Sequence, residues 1–150
     1  TVQAQILNLI RTLAKENGTS VIMITHDLGV VASLCDRIVV LYGGKVCETG
    51  TADEIFYETK HPYTRGLLNS ISRRHGTLAS IPGTPPDLLH LNSGCPFAGR
   101  CGEAMKICRD YLPAGTGFSE THSAACWLCC GERAEELVAQ QDRERGEGHG

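Results

Sequence analysis

Val21-Ile22-Met23-Ile24-Thr25-His26-Asp27-Leu28-Gly29-Val30-Val31 sets an unbroken apolar run, a polar break and a second apolar run side by side. The first run, with valine and two isoleucines, predicts a strand buried on both faces. The second predicts a short helix over Leu28 to Cys35. His26 stands just past the strand end, and ligands of open α/β sheets collect outside the carboxyl ends of the strands. That placement makes His26 a candidate functional residue. The plainer alternative is a histidine that only hydrogen-bonds its own loop.

Working outward, Val2, Ile6, Leu9, Ile10 and Leu13 recur at three- and four-residue spacing, the pattern of an amphipathic helix that Asn17-Gly18 ends. Downstream, Arg37 to Tyr42 reads as a second buried strand. Helix, strand, helix, strand is the rhythm of an α/β fold. Gly43-Gly44 predicts a tight hairpin turn into Lys45 to Gly50. Thr51-Ala52-Asp53-Glu54 matches a capping box before Ile55, Phe56 and Tyr57, so a helix is expected there. Pro62 suits the first turn of a further helix carrying Leu67, Leu68 and Ile71. Ile81-Pro82-Gly83-Thr84-Pro85-Pro86 predicts an extended connector. From Gly131 on, acids alternate with arginine and only Leu137 and Val138 offer burial, which predicts a short helix fraying into a disordered tail.

Composition narrows the class. At 41% hydrophobic and 21% charged, the 150 residues are not those of a disordered chain. A formal net charge of −3 gives no reason to expect nucleic acid as a partner. No apolar run reaches the roughly 20 residues that span a bilayer. The chain opens without Met inside a helical pattern, so its start is expected to be a truncation.

Cys95, Cys101, Cys108 and Cys126 are separated by five, six and seventeen residues. In a reducing compartment, clustered thiols hold a metal more often than they form disulfides. A tetrahedral zinc site usually contains a close Cys-x-x-Cys pair, which the first three cysteines lack. Spread single ligands suit the larger [4Fe–4S] cubane, where each thiolate binds its own iron, and Pro96 directly after Cys95 is found at ferredoxin-type sites. Zinc remains the alternative, because Cys126-Trp127-Leu128-Cys129 is itself a Cys-x-x-Cys. Cys129 and Cys130 are open to several roles, His122 is a further candidate ligand, and Cys35 and Cys47 read as small apolar fillers.

The residues from Thr1 to Ile6, followed by Ile24-Thr25-His26-Asp27, resemble the C-terminal end of an ABC-transporter nucleotide-binding domain. Tyr42-Gly43-Gly44-Lys45 through Gly50, His61-Pro62-Tyr63-Thr64-Arg65-Gly66-Leu67-Leu68, Ile81 to Pro86, and Gly94-Cys95-Pro96-Phe97 with Arg100-Cys101 are similar to the oligopeptide/dipeptide and nickel importer ATPases. The resemblance covers residues 1 to about 128 in the family's order. It implies the C-terminal part of a P-loop ABC nucleotide-binding domain over residues 1–58, a small cysteine-rich domain over 59–130, and a charged tail over 131–150. It implies that His26 is the switch histidine at the γ-phosphate of ATP with Mg2+, and that Cys95, Cys101, Cys108 and Cys126 bind a [4Fe–4S] cluster. It further implies a second ATPase subunit, transmembrane permeases and a substrate-binding protein as partners, with the protein peripheral on the cytoplasmic side of the inner membrane. Cys129 and Cys130 depart from the family's pattern. The 150 residues contain no Gly-x-x-x-x-Gly-Lys-Ser/Thr, no Leu-Ser-Gly-Gly-Gln and no apolar strand ending in Asp-Glu, so this chain alone is expected to be inert toward ATP. The competing expectation is a stand-alone iron–sulfur or zinc module with a redox or regulatory role.

Overall fold

The structure, a computed structural model, describes residues 2–72, 81–87, 89 and 93–147. Thr1, Arg73-Arg74 and the last three residues lie outside this range. Helix α1 (Val2–Asn17) forms where the apolar spacing predicts it and ends at Gly18, which takes φ 60°. Its apolar stripe, from Val2 through Ile6 and Leu9 to Leu13, is exposed. Helix α2 (Leu28–Leu34) follows, with the Asp27 carboxylate accepting from the Gly29 and Val30 N–H groups at its start. Between them the expected strand is absent. Residues 21–25 carry no regular structure, and Ile22 and Ile24 are 94% and 97% exposed. A strand is held by cross-strand hydrogen bonds, and no described segment pairs with this one.

Strands β1 (Arg37–Tyr42) and β2 (Lys45–Thr51) form the expected hairpin, with an irregularity in register between Val40 and Leu41. Gly43 and Gly44 take φ 55° and 73°, the two positive values a type I′ turn demands. β1 is not buried on both faces as its composition suggested. Ile38 and Tyr42 face inward while Val39 and Leu41 are exposed, the alternation of an antiparallel strand covered on one side. Thr51 then starts α3 (Ala52–Tyr57) through a full capping box: its Oγ1 accepts from the Glu54 N–H at 3.3 Å, and the Glu54 carboxylate accepts from the Thr51 N–H at 2.8 Å. Helix α4 (Pro62–Ser72) has proline in its first turn, as predicted.

The second half adds α5 (Ile107–Asp110), β3 (Gly115–Gly117), β4 (Ser123–Ala125), two 3-10 turns at Trp127–Cys129 and Gly131–Arg133, and α6 (Ala134–Glu147). All pairings are antiparallel and the sheet order is β1-β2-β4-β3, so β4 extends the hairpin from the far side of the cysteine-rich segment. Helix and strand are mixed, in keeping with an α/β class. Three apolar clusters hold the elements together. Val31, Ile38 and Ile55 join α2, β1 and α3, with Cys35 packed against them. Tyr42, Cys47 and Phe97 join the hairpin to the first cysteine loop, so Cys35 and Cys47 do act as apolar filling. Trp127, Cys108, Ala98 and Cys130 centre the third, onto which Leu137 and Val138 of α6 pack. Those two side chains anchor the helix expected in the tail, which runs 14 residues. Its far end is tied down as Gln141 donates to the Leu112 carbonyl at 2.7 Å and Arg145 lies over the Tyr111 ring.

Gly94 sits where the first cysteine loop presses on the third. The Cys95 N–H donates to the Cys108 carbonyl at 2.7 Å, and a Cβ on Gly94 would enter that carbonyl and the Arg109 backbone. Backbone atoms have nowhere to retreat, so Gly94→Ala is expected to cost about 1–3 kcal/mol as an overpacking change. Thermal denaturation should show a midpoint lowered by several degrees, whereas Gly99→Ala, whose added Cβ meets nothing within 4 Å, should melt with the wild type.

Candidate functional site

His26 is exposed in the loop between residues 21–25 and α2. The loop is shaped by its neighbours: the Asp27 N–H donates to Thr25 Oγ1 at 3.0 Å, and Asp27 Oδ1 caps α2 at 2.9 and 3.2 Å. No described residue hydrogen-bonds the imidazole.

The four spaced cysteines converge. Cys95, Cys101, Cys108 and Cys126 line a single cavity of about 20 Å³ whose other walls include His61, Phe97, Ala98, Pro113 and Trp127. Nearby backbone N–H groups, those of Phe97 and Ala98 at Cys95, Glu103 at Cys101 and Leu128 at Cys126, favour the ionised sulfur. The Met105 N–H reaches Cys108 Sγ at 3.4 Å. Burial pushes the Cys95 and Cys101 thiols up and the Cys126 thiol up to about 12, and the neighbouring sulfurs add to the rise. The N–H donors act the other way.

Alone, the Cys95, Cys101 and Cys126 thiols therefore stay protonated at neutral pH. Among the described residues, no group of three or more His, Cys, Asp or Glu side chains is drawn close enough to hold a single ion. The sulfurs ring a cavity without meeting at a point. His122 is not among the lining residues.

His122 and His61 belong to a second, polar constellation beneath the cavity. Glu48, a charged residue in the middle of β2, is fully buried. Its carboxylate accepts from the Lys60 N–H at 2.6 Å, the His61 N–H at 3.1 Å and the Thr59 hydroxyl at 2.9 Å, and bonds to His122 Nε2 at 2.8 Å. The Thr64 hydroxyl is buried near the same carboxylate but lies off hydrogen-bonding geometry. Burial alone would raise the Glu48 pKa; the bonds from His122 and the backbone outweigh it and hold the carboxyl below its ordinary range. His61 Nδ1 accepts from the Tyr63 N–H at 3.1 Å, and burial keeps the ring's pKa below its usual value, so His61 is neutral.

Glu54 grips the turn before β4, accepting from Ser119 at 2.6 Å and Thr121 at 2.8 Å. These bonds, with that from the Thr51 N–H, bring its pKa down to about 2. Glu48 does not stand out in the sequence, because a charged residue inside a hairpin strand normally faces water, and Glu54 is legible there only as the capping-box residue. His122 could not be placed without knowing that β4 pairs with β2.

Comparison with known proteins gives a consistent set of relatives. A family described as "Oligopeptide/dipeptide transporter, C-terminal region" matches residues 47–108. The chain is 48% identical over 145 residues to the dipeptide transport ATP-binding protein DppD of Bacillus subtilis, covering 95% of this chain and 43% of that protein. It is 50% identical over 131 residues to the oligopeptide transport ATP-binding protein OppD of Haemophilus influenzae, covering 85% of this chain and 40% of the relative. With Escherichia coli OppD it shares 50% identity over 116 residues, 75% of this chain and 34% of the relative. The chain thus spans less than half the length of these relatives.

Both glutamates have folded pKa values below the ordinary value of 4.5, so their stabilisation is present above that pH and is lost as pH falls through the folded values. Denaturant titrations at a series of pH values should show stability declining from about pH 4.5 down to about pH 2. Glu54→Gln should be less stable at pH 7 and show a shallower slope in that window. Glu48→Ala, which strands the buried His122 and two backbone N–H groups, should cost roughly 3–5 kcal/mol.

Proposed function

Because the chain belongs to the family of oligopeptide/dipeptide transporter ATP-binding proteins, whose C-terminal region it carries, we propose that it is part of the ATP-binding subunit of a peptide importer. The observation that carries this reading is the 48% identity to a dipeptide transport ATP-binding protein over 95% of the chain. In the whole subunit, ATP with Mg2+ is hydrolysed to drive uptake of di- or oligopeptides. The subunit pairs with a second ATPase, docks on transmembrane permeases at the cytoplasmic face of the membrane and receives cargo through a substrate-binding protein. No helix among the described residues is long and apolar enough to cross a membrane.

His26 contacts the γ-phosphate in this reading. Its exposed, unpaired ring at the mouth of a capped helix supports that role. A single imidazole contact does not make a nucleotide site, and the phosphate-cradling loop has no counterpart in these residues, so the chain alone does not turn over ATP.

We divide the chain at residues 58 and 130, with a cysteine-rich unit between them that holds a [4Fe–4S] cluster on Cys95, Cys101, Cys108 and Cys126. The lining of one cavity by all four cysteines supports the assignment. When bound, the cluster supplies iron–thiolate bonds that cross-link the loops after β2. Phe97, Ala98 and Trp127 keep water from it, while His61 closes the side nearest Glu48. A stand-alone metal module is not supported: the identity runs through the front of the chain as well as the cysteines.

Two outcomes check these assignments. Anaerobic reconstitution with iron and sulfide should yield about four irons per chain. Serine at any of the four cysteines should lower iron retention, and serine at Cys129 or Cys130 should leave it nearly unchanged. A colourless protein with one zinc, lost on changing Cys126 or Cys129, would replace the cluster with a zinc knuckle. In the complete subunit, His26→Ala should reduce hydrolysis by about a hundredfold with nucleotide binding retained, because a γ-phosphate contact counts most as charge develops in the transition state. Undiminished turnover in that variant would reduce His26 to a loop residue.

A further inference from the structure

Cys126 precedes the 3-10 turn Trp127–Cys129, and the Cys129 N–H donates back to the Cys126 carbonyl at 3.0 Å. A hydrogen-bonded turn of this kind holds its first and fourth Cα atoms within about 7 Å, inside the span a disulfide bridges. Cys129 is partly exposed, whereas Cys126 is buried.

Cys130 is turned elsewhere. Its thiol donates to the Cys126 carbonyl at 3.4 Å and meets Thr116 Oγ1 at 3.6 Å, in the interior beside Trp127. Adjacent Cα atoms across a trans peptide are 3.8 Å apart, below the usual disulfide span, so Cys129 and Cys130 are poorly placed to join each other.

We propose that Cys126 and Cys129 form a modification site, a dithiol that closes into an intrachain disulfide when it meets a low-molecular-weight disulfide. The partly exposed Cys129 thiol loses its proton to solvent and attacks one sulfur of the oxidant, forming a mixed disulfide and releasing one small thiol. Cys126 then gives up its proton and attacks the Cys129 sulfur, forming the Cys126–Cys129 bond and expelling the second small thiol. Two protein thiols are oxidised and one small disulfide is reduced to two thiols. The reaction needs no bound metal and does not depend on the transport reading. Its consequence for the quartet is direct, because it withdraws Cys126 from the cavity's ligand set.

The test uses the metal-free 150-residue chain, treated with oxidised glutathione, quenched with an alkylating reagent and cleaved with trypsin. Residues 110–133 contain no internal lysine or arginine, so Cys126, Cys129 and Cys130 travel in one peptide. The expected product is that peptide lighter by two hydrogens, alkylated only at Cys130. Cys130→Ser should retain the lighter peptide. Cys129→Ser should abolish it, leaving Cys126 open to alkylation, with circular dichroism unchanged in both variants. A bond from Cys129 to Cys130, a bond from Cys126 to one of the other quartet cysteines, or full alkylation of all three thiols in the folded wild type would each overturn the proposal. Iron retention is not read at any step, so failure here is distinct from failure of the cluster assignment.

Discussion

A carboxylate with no exposure to water has to be satisfied by the protein around it, and Glu48 is satisfied by groups from three separate places. Its own strand supplies the backbone that holds it, the segment from Thr59 to His61 supplies two N–H groups and a hydroxyl, and the approach to β4 supplies His122. Loss of any partner would leave a charge or a donor buried without its mate, so the three places are fixed together. His61 is thereby set against the cysteine cavity, and β4 is set against β2, from which the chain runs directly to Cys126 and the turn after it. The hairpin is local and the cysteine loops are local; this buried carboxylate with its bonds is what gives them a common frame.

Glu54 performs a lighter version of the same task one turn later. Its capping-box bonds hold α3 on β2, and the same carboxylate reaches Ser119 and Thr121 in the turn before β4. One residue thus ends a strand, begins a helix and clasps a distant turn. The polar seam from Glu48 to Glu54 runs along the join between the hairpin and the cysteine-rich segment, where apolar contact is confined to small clusters.

Much of this was legible in the residues. The helix at Val2–Asn17, the Gly43-Gly44 hairpin, the Thr51 capping box and the helix opening at Pro62 are all written in nearest-neighbour chemistry, and all form. The convergence of Cys95, Cys101, Cys108 and Cys126 on one cavity was readable from their crowding. The failures have a shared cause. Val21–Ile24 has strand composition, but composition cannot provide a pairing partner. Glu48 and His122 look like surface residues until the β2–β4 pairing brings them together, and α6 looks like a loose charged tail until Trp127 offers Leu137 and Val138 a place to pack. In each case the deciding contact comes from far along the chain.

That distance also orders events in time. Glu48 and His122 are 74 residues apart in sequence, as are Thr49 and Ser123, whose hydroxyls meet across the same two strands. Chain entropy makes such a long closure slower to reach than a two-residue hairpin turn or a single helix. The β2–β4 pairing is only two residues long in register, too little to draw the ends together before other structure exists. On contact-order grounds the hairpin with α3 is expected to form ahead of the β2–β4 closure, and until that closure Glu48 lacks His122 and the cavity wall at Cys126 is unset.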